Sequence, residues 1–369
     1  MSVILGILKI NIPIELIVYL IVLFLILLMN INSESNKFIF LKNKVAVYCY
    51  IFVGLIVIFI PISISNIAVI EKITFFIYLV ICKVLILSLL NFENIFYKYL
   101  IFLKYLRNSA SIILILYFVL FYLGFTEYFG SEQRKYLVGT GNPIWFSRFI
   151  VDLTFIVLFY TLYTKKFHFI SFLSILLGIL LLFNAGSRGP FLALFLATIF
   201  SYLNLNSSKK KIIYSILIIS LILVAPVLIP KILNFNIYSV LTRIDLYEKS
   251  INFILENPWG TGFASFGLLF LGEDVRFYPH NIFLEILVEL GIGGLIIFIL
   301  FIYNGFKSYS SKNIFFYLFF IAFINAQFSG DLTSNSYMFI YLFLSVVYKR
   351  YERRQNHEAL SLCYGKYSK

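Results

Sequence analysis

Arginine, histidine and glycine meet at turns between long apolar runs in this chain, and those residue types suit holding an anion and moving a proton. The segment Asn184-Ala185-Gly186-Ser187-Arg188-Gly189-Pro190 places one Arg between two such runs. Its glycines allow close backbone approach, and Pro190 suits a helix start. A guanidinium beside the N–H groups of a helix start is an anion site. A plain turn with a snorkelling Arg188 is the competing reading and stays open. Farther on, Arg243 opens a stretch with apolar residues at Ile244, Tyr247, Ile251, Phe253 and Ile254, the pattern of an amphipathic helix lying along a membrane surface. It ends in the turn-rich Asn257-Pro258-Trp259-Gly260-Thr261-Gly262-Phe263. Glu273, Asp274 and Arg276 follow, then Pro279-His280-Asn281 at the start of another apolar run. Imidazole titrates near neutrality and so suits a general base, although a lone His is as readily structural. Asn281 suits a helix cap.

Charges inside apolar runs are costly, so each is a candidate for function. Arg148 and Asp152 lie four apart on one helical face, placed either to neutralise each other or to serve a site. Lys83 is lone. Glu285 and Glu289, again four apart, read as a polar seam near a bundle interior or as a site. No Cys/His cluster has metal-ligand spacing, and there is no Walker A loop, dinucleotide fingerprint or serine elbow. A mechanism without metal or cofactor is therefore expected. Cys49 and Cys82 fall in expected spans and Cys363 in the C-terminal tail, so no exported disulfide is expected.

These residues need a membrane-embedded scaffold. The composition is 61% hydrophobic, 20% aromatic and 13% charged, which no single soluble core hides. Apolar runs long enough to cross a bilayer recur at 12–30, 45–63, 74–90, 110–125, 148–164, 167–184, 189–205, 212–232, 282–304, 314–329 and 335–349. The expected fold is an all-α polytopic membrane protein of about eleven spans, within a range of ten to twelve. Lys9, Pro13 and Glu15 interrupt the first run, which is read as retained because no basic n-region precedes it. The expected organisation is a bundle over 1–232, a long loop over 233–281, further spans over 282–349 and a tail over 350–369.

Lys and Arg collect in alternate loops. One set holds Lys37, Lys42 and Lys44; Lys98, Lys104 and Arg107; Lys165 and Lys166; Lys209, Lys210 and Lys211; and Lys307 and Lys312, with Lys349, Arg350, Arg353, Arg354, Lys366 and Lys369 in the tail. The other set holds only Lys72, then Arg134 and Lys135, then Arg188 in its short members. The first set is expected in the cytoplasm, which places the long loop outside. Most of the net charge of +13 is thus a topology signal and gives no reason to invoke nucleic acid. His168 and His357 fall on the cytoplasmic side, leaving His280 as the outer histidine.

The same residues resemble the O-antigen ligase and polymerase superfamily of bacterial inner-membrane glycosyltransferases. Arg188-Gly189-Pro190-Phe191-Leu192 fits Arg, three residues, Leu. His280-Asn281, nine residues, then Gly291-Ile292-Gly293-Gly294 fits His-Asn, nine residues, Gly, two residues, Gly. Between them, Arg243 followed by a helix and Pro258-Trp259-Gly260-Thr261-Gly262 is similar to the family's loop ending in Pro-x-Gly-x-Gly. Gly141-Asn142-Pro143-Ile144-Trp145 is similar to a family turn ahead of an Arg-bearing span. The likeness covers roughly residues 140 to 330.

The resemblance implies transfer of a glycan from undecaprenyl pyrophosphate to a sugar hydroxyl on the outer leaflet. In that role Arg188 and Arg243 hold the pyrophosphate, His280 is the base, and Asn281, Arg148 and Arg276 are further substrate-binding candidates. Its partners are the lipid-linked glycans and membrane lipid, with a chain-length regulator left open. Within the superfamily a polymerase of O-antigen or capsular repeat units comes first, and a ligase passing polymer to lipid A core second. A lipid-linked oligosaccharide flippase is third, because it calls for internal repeats that this chain does not display.

Overall fold

The computed structural model describes residues 44–76, 96–129, 134–138, 140, 142–164, 168–204 and 237–367. The expected spans 12–30 and 212–232, nearly all of 74–90, and Lys37, Lys42, Cys82, Lys83, Gly141, Lys165, Lys166, Lys209, Lys210, Lys211 and Lys369 lie outside these residues. The described residues form eleven helices and one hairpin. In chain order they are α1 (Lys44–Phe59), α2 (Ile67–Phe76), α3 (Tyr99–Tyr122), β1 (Thr126–Phe129), β2 (Arg134–Leu137), α4 (Pro143–Thr164), α5 (Phe169–Ala185) and α6 (Arg188–Asn204), then α7 (Ile237–Glu256), α8 (Phe266–Leu271), α9 (Ile282–Lys307), α10 (Ile314–Ala326) and α11 (Ser336–Tyr367).

α4 is the central post, packed against α3, α5, α6 and α10. Phe146, Ile150, Val151, Phe155 and Phe159 are fully buried along it, while Phe149 near its start is exposed. A helix that is apolar all round is a buried one. Its hydroxyls stay satisfied within the helix: Ser147 donates to the Pro143 carbonyl at 2.7 Å and Thr154 to the Ile150 carbonyl at 2.7 Å. At the periphery, α3 exposes Leu100, Ile112, Leu116 and Val119, and α9 exposes Ile292, Ile296, Ile299 and Leu300. Bands of that kind are a liability in water and are at home in lipid. Among the described residues, α3, α4 and α9 are long and apolar enough to cross a membrane, and α5 and α10 are shorter apolar helices. The chain is a mostly helical membrane protein.

Four local features differ from expectation. The antiparallel hairpin, with Thr126 opposite Leu137 and Phe129 opposite Arg134, departs from an all-α fold. Its strands are too short for alternation to register in sequence, and burial of Tyr136 and Leu137 against the bundle holds them. Lys104 and Arg107, expected in a loop, belong to α3. Arg107 is buried, donates to the Ser171 hydroxyl at 3.2 Å and lies over the Tyr160 ring at 4.9 Å, so its charge is absorbed by the bundle. The segment expected as a separate tail continues the last span as one helix to Tyr367, because Glu, Arg, Gln, Ala and Leu dominate it and favour helix. Arg148 and Asp152 do not form the direct ion pair their spacing allows, because each has a better partner across the bundle.

Candidate functional site

α5 closes on Gly186, whose φ of 63° puts it in the left-handed region and lets its N–H reach the Leu182 carbonyl at 3.2 Å. One residue later Arg188 begins α6. The turn thus aims a guanidinium and the first N–H groups of a helix into a cavity of about 330 Å³. Arg134, Arg148 and Arg243 line it with Arg188, and among the described residues no Asp or Glu does. Four guanidiniums around one cavity, with no carboxylate among the described residues of its wall, suit an anion. Ser187 also lines it, and its hydroxyl is buried without a hydrogen-bond partner.

Arg148 is fixed from α4 by the turn that joins α10 to α11. It donates to the Asn335 side chain at 3.0 Å and to the carbonyls of Asn325, at 3.0 Å, and Ser329. Its Nε is buried without a partner. Asp152, one turn deeper, accepts from the Tyr341 hydroxyl at 2.7 Å. Arg243 comes from the half-buried face of α7, which packs on α9.

His280 does not line the cavity but stands beside it. Burial first, and then the positive charges of Arg243 and Arg148, together lower its pKa to about 4. The ring is therefore neutral at physiological pH, and its Nδ1 is buried without a partner. Tyr278 meets it edge-on at 4.9 Å between ring centroids. The backbone of His280 has φ 61°, rare for a residue with a side chain. Next to it, Asn281 caps α9: its side-chain oxygen accepts from Phe283 N at 3.0 Å and Leu284 N at 3.2 Å. That duty accounts for the Asn281 side-chain oxygen.

α9 is broken at Gly291, which has φ 64° and ψ −165°. The loop after α7 repairs the break. Thr261 N donates to the Val288 carbonyl at 3.0 Å, Gly262 N to the Glu289 carbonyl at 3.0 Å, and Ile292 N to the Pro258 carbonyl at 2.9 Å. A Cβ on Gly291 would come within 2.3 Å of the Trp259 carbonyl carbon. Just before the break, Glu285 and Glu289 are 1% and 2% exposed and both bind Lys72 of α2, itself 1% exposed. The Lys72 ammonium lies 2.7 Å from both Glu289 oxygens and hydrogen-bonds Glu285. Lys72, expected only as a loop charge, is thus the counter-ion of the acidic seam.

Arg276 is not brought to the cavity. It grips Asp331 with Nε at 2.6 Å and Nη2 at 2.8 Å, and donates to the Thr333 hydroxyl at 2.6 Å. Burial alone would raise the Asp331 pKa, but the Arg276 hydrogen bonds and the Lys72 charge outweigh it and hold this carboxyl well below its usual range. Two carboxylates of the same long loop are also engaged. Asp274 accepts from the N–H groups of Ile67, Asn66 and Ala68 and from the Ser65 hydroxyl, which holds it ionised and makes it the cap of α2. Asp245 pairs with Lys249 at 2.8 Å.

Residues 173–299 match the O-antigen ligase family model. The match covers about a third of the chain and supports a likeness to the O-antigen ligase/polymerase superfamily over that segment. No curated protein and no solved structure matches it. The O-antigen ligase segment contains Arg188, Arg243, His280, Asn281 and Gly291, whereas Arg134, Arg148, Asn325 and Ser329 reach the same cavity from outside it. Arg134 was overlooked as a site residue. Its signal is present in sequence: an Arg in a short loop of the cation-poor set runs against the charge bias, and Arg188 is another such exception.

Proposed function

We propose that this protein is a glycosyltransferase of the bacterial inner membrane that polymerises undecaprenyl-pyrophosphate-linked repeat units of O-antigen or capsule on the outer face. The observation that carries this reading is the arginine-walled cavity with a neutral His280 beside it. In the reaction, the acceptor hydroxyl gives its proton to His280 and its oxygen bonds to the anomeric carbon of the donor sugar. The bond from that carbon to the diphosphate oxygen breaks, and the lipid diphosphate leaves with the electron pair. The leaving group gains one negative charge, which Arg148, Arg188 and Arg243 stabilise in place of a metal. Neutral imidazole is the form that accepts a proton, so the low pKa of His280 keeps it ready.

The match to the O-antigen ligase family favours a second reading, a ligase that passes finished polymer to lipid A core. The two share the donor, the base and the leaving group and differ in the acceptor. The glycan pattern of a deletion strain separates them. Lipid A bearing a single repeat unit identifies a polymerase, whereas bare core with accumulated lipid-linked polymer identifies a ligase. Normal polymer that fails to reach the outer leaflet refutes both. Sidedness is tested by labelling a cysteine at exposed Glu273, since Ser265, in the same loop, is fully buried. Labelling only after the membrane is breached refutes an outer site.

A further inference from the structure

The hairpin between α3 and α4 delivers Arg134 to the cavity wall from outside the matched segment. Its placement is specific. Tyr136 and Leu137 bury the strand against the bundle, so the register is fixed. The Arg134 stem lies across the left-handed residue that ends α5: a Cβ at Gly186 would sit 3.4 Å from its Cγ. Lys135, one residue on, turns to the other side of the strand and lies over its cross-strand neighbour Tyr128 at 4.9 Å. Two adjacent cations therefore have different settings, and the one at the cavity is the Arg.

Among the residues that line the cavity, the Ser187 hydroxyl, Arg148 Nε and Asn325 Oδ1 are buried without hydrogen-bond partners. A diphosphate diester carries two negative charges and the departing diphosphate monoester carries three. A further guanidinium therefore acts most strongly on the charge that develops as the bond breaks. We infer that Arg134 is an anion-binding residue of this site, which the hairpin holds over the cavity to bind the diphosphate of the lipid-linked donor. This rests on the donor reading given above.

The test is calorimetric titration of inorganic pyrophosphate into the purified full chain in detergent at low ionic strength. Arg134→Gln and Arg188→Gln are each expected to weaken binding about ten-fold or more, as loss of a charge-assisted hydrogen bond does. Lys135→Gln is expected to bind as the parent does. Parent-like binding by Arg134→Gln while Arg188→Gln loses affinity overturns the inference and leaves the donor reading standing. Absence of binding by the parent overturns the donor reading itself. An equal loss in Lys135→Gln reduces the effect to general surface charge and also overturns the inference. Should Arg134→Gln fail to fold, Arg134→Lys keeps the charge and the strand, and it is expected to bind measurably weaker than the parent for want of the planar fork. Parent-like affinity in that variant overturns the bidentate role.

Discussion

If His280 is the base, its protonation sets the acid limb of activity, and the structure places that limb unusually low. An unperturbed imidazole is roughly nine-tenths neutral at pH 7.5 and roughly one-tenth neutral at pH 5.5, which amounts to about a ten-fold loss of base. With its pKa lowered to about 4, His280 stays neutral down through that interval, and its base form is lost only as pH falls through the lowered value. The plot of kcat/KM, which reports the free enzyme, should therefore be nearly flat from pH 7.5 to 5.5 on the acid side. A bound diphosphate offsets the Arg243 and Arg148 charges that help to depress the pKa, so the limb in kcat should lie higher than the limb in kcat/KM.

The chain has three histidines, so a ring-labelled sample gives a spectrum in which His280→Gln identifies one titrating signal directly. That signal should titrate well below the unperturbed imidazole range and move upward in Arg243→Gln, because one of the depressing charges is gone. A His280 ring that titrates near the unperturbed value refutes the argument. So does a ten-fold fall of kcat/KM between pH 7.5 and 5.5, and so does an Arg243→Gln variant with an unmoved His280 signal.

Other substitutions test the scaffold and the cations. Lys72→Met strands buried carboxylates and should cost about 3–5 kcal/mol, read as a lowered unfolding temperature in detergent, with part of the loss returned in Lys72→Met/Glu289→Gln. Gly291→Ala should sharply reduce folded protein because its Cβ has no room, whereas Gly293→Ala, whose Cβ meets nothing within 4 Å, should accumulate normally. Asn281→Ala should lose about 0.5–2 kcal/mol of stability as a cap deletion, while keeping far more polymer formation than His280→Ala. Arg188→Lys and Arg243→Lys should insert and fold yet lose most activity, since an ammonium lacks the planar fork; full activity in either removes that residue from the site.

Sequence singled out several of the residues that the fold gathers here and little of what supports them. Arg188 and Arg243 were legible because a charged residue beside long apolar runs is costly, and His280 because it opens a span after a polar loop. Arg148 was legible as a charge in a span, but its nearest candidate partner in sequence, Asp152, is not its partner in space. Local spacing proposes contacts along one helix and is silent about the Asn335 side chain or the Ser329 carbonyl across the bundle. The same blindness hid the link between Lys72 and the Glu285–Glu289 pair, which lie more than two hundred residues apart in sequence. Arg276 and Asp274 misled in the other direction. Both looked available in a polar loop, and both are fully engaged, one clamping Asp331 and the other capping α2.

The spacing of His280, Asn281 and Gly291 has a mechanical sense. Asn281 fixes where α9 begins, and Gly291 fixes where it breaks, ten residues or about 15 Å along the axis. At the break, the carbonyls of Val288 and Glu289 and the N–H of Ile292 pair with the loop that follows α7. Inside a membrane protein such groups must find partners, so that loop has one docking position. α7 carries Arg243, and α9 is preceded directly by His280. One rigid segment thus sets the distance between Arg243 and His280. Lys72 pins the same segment through Glu285 and Glu289, so its rotation about the helix axis is fixed along with its ends. The buried ion cluster therefore acts on the site by holding His280 in register with Arg243, without touching the cavity.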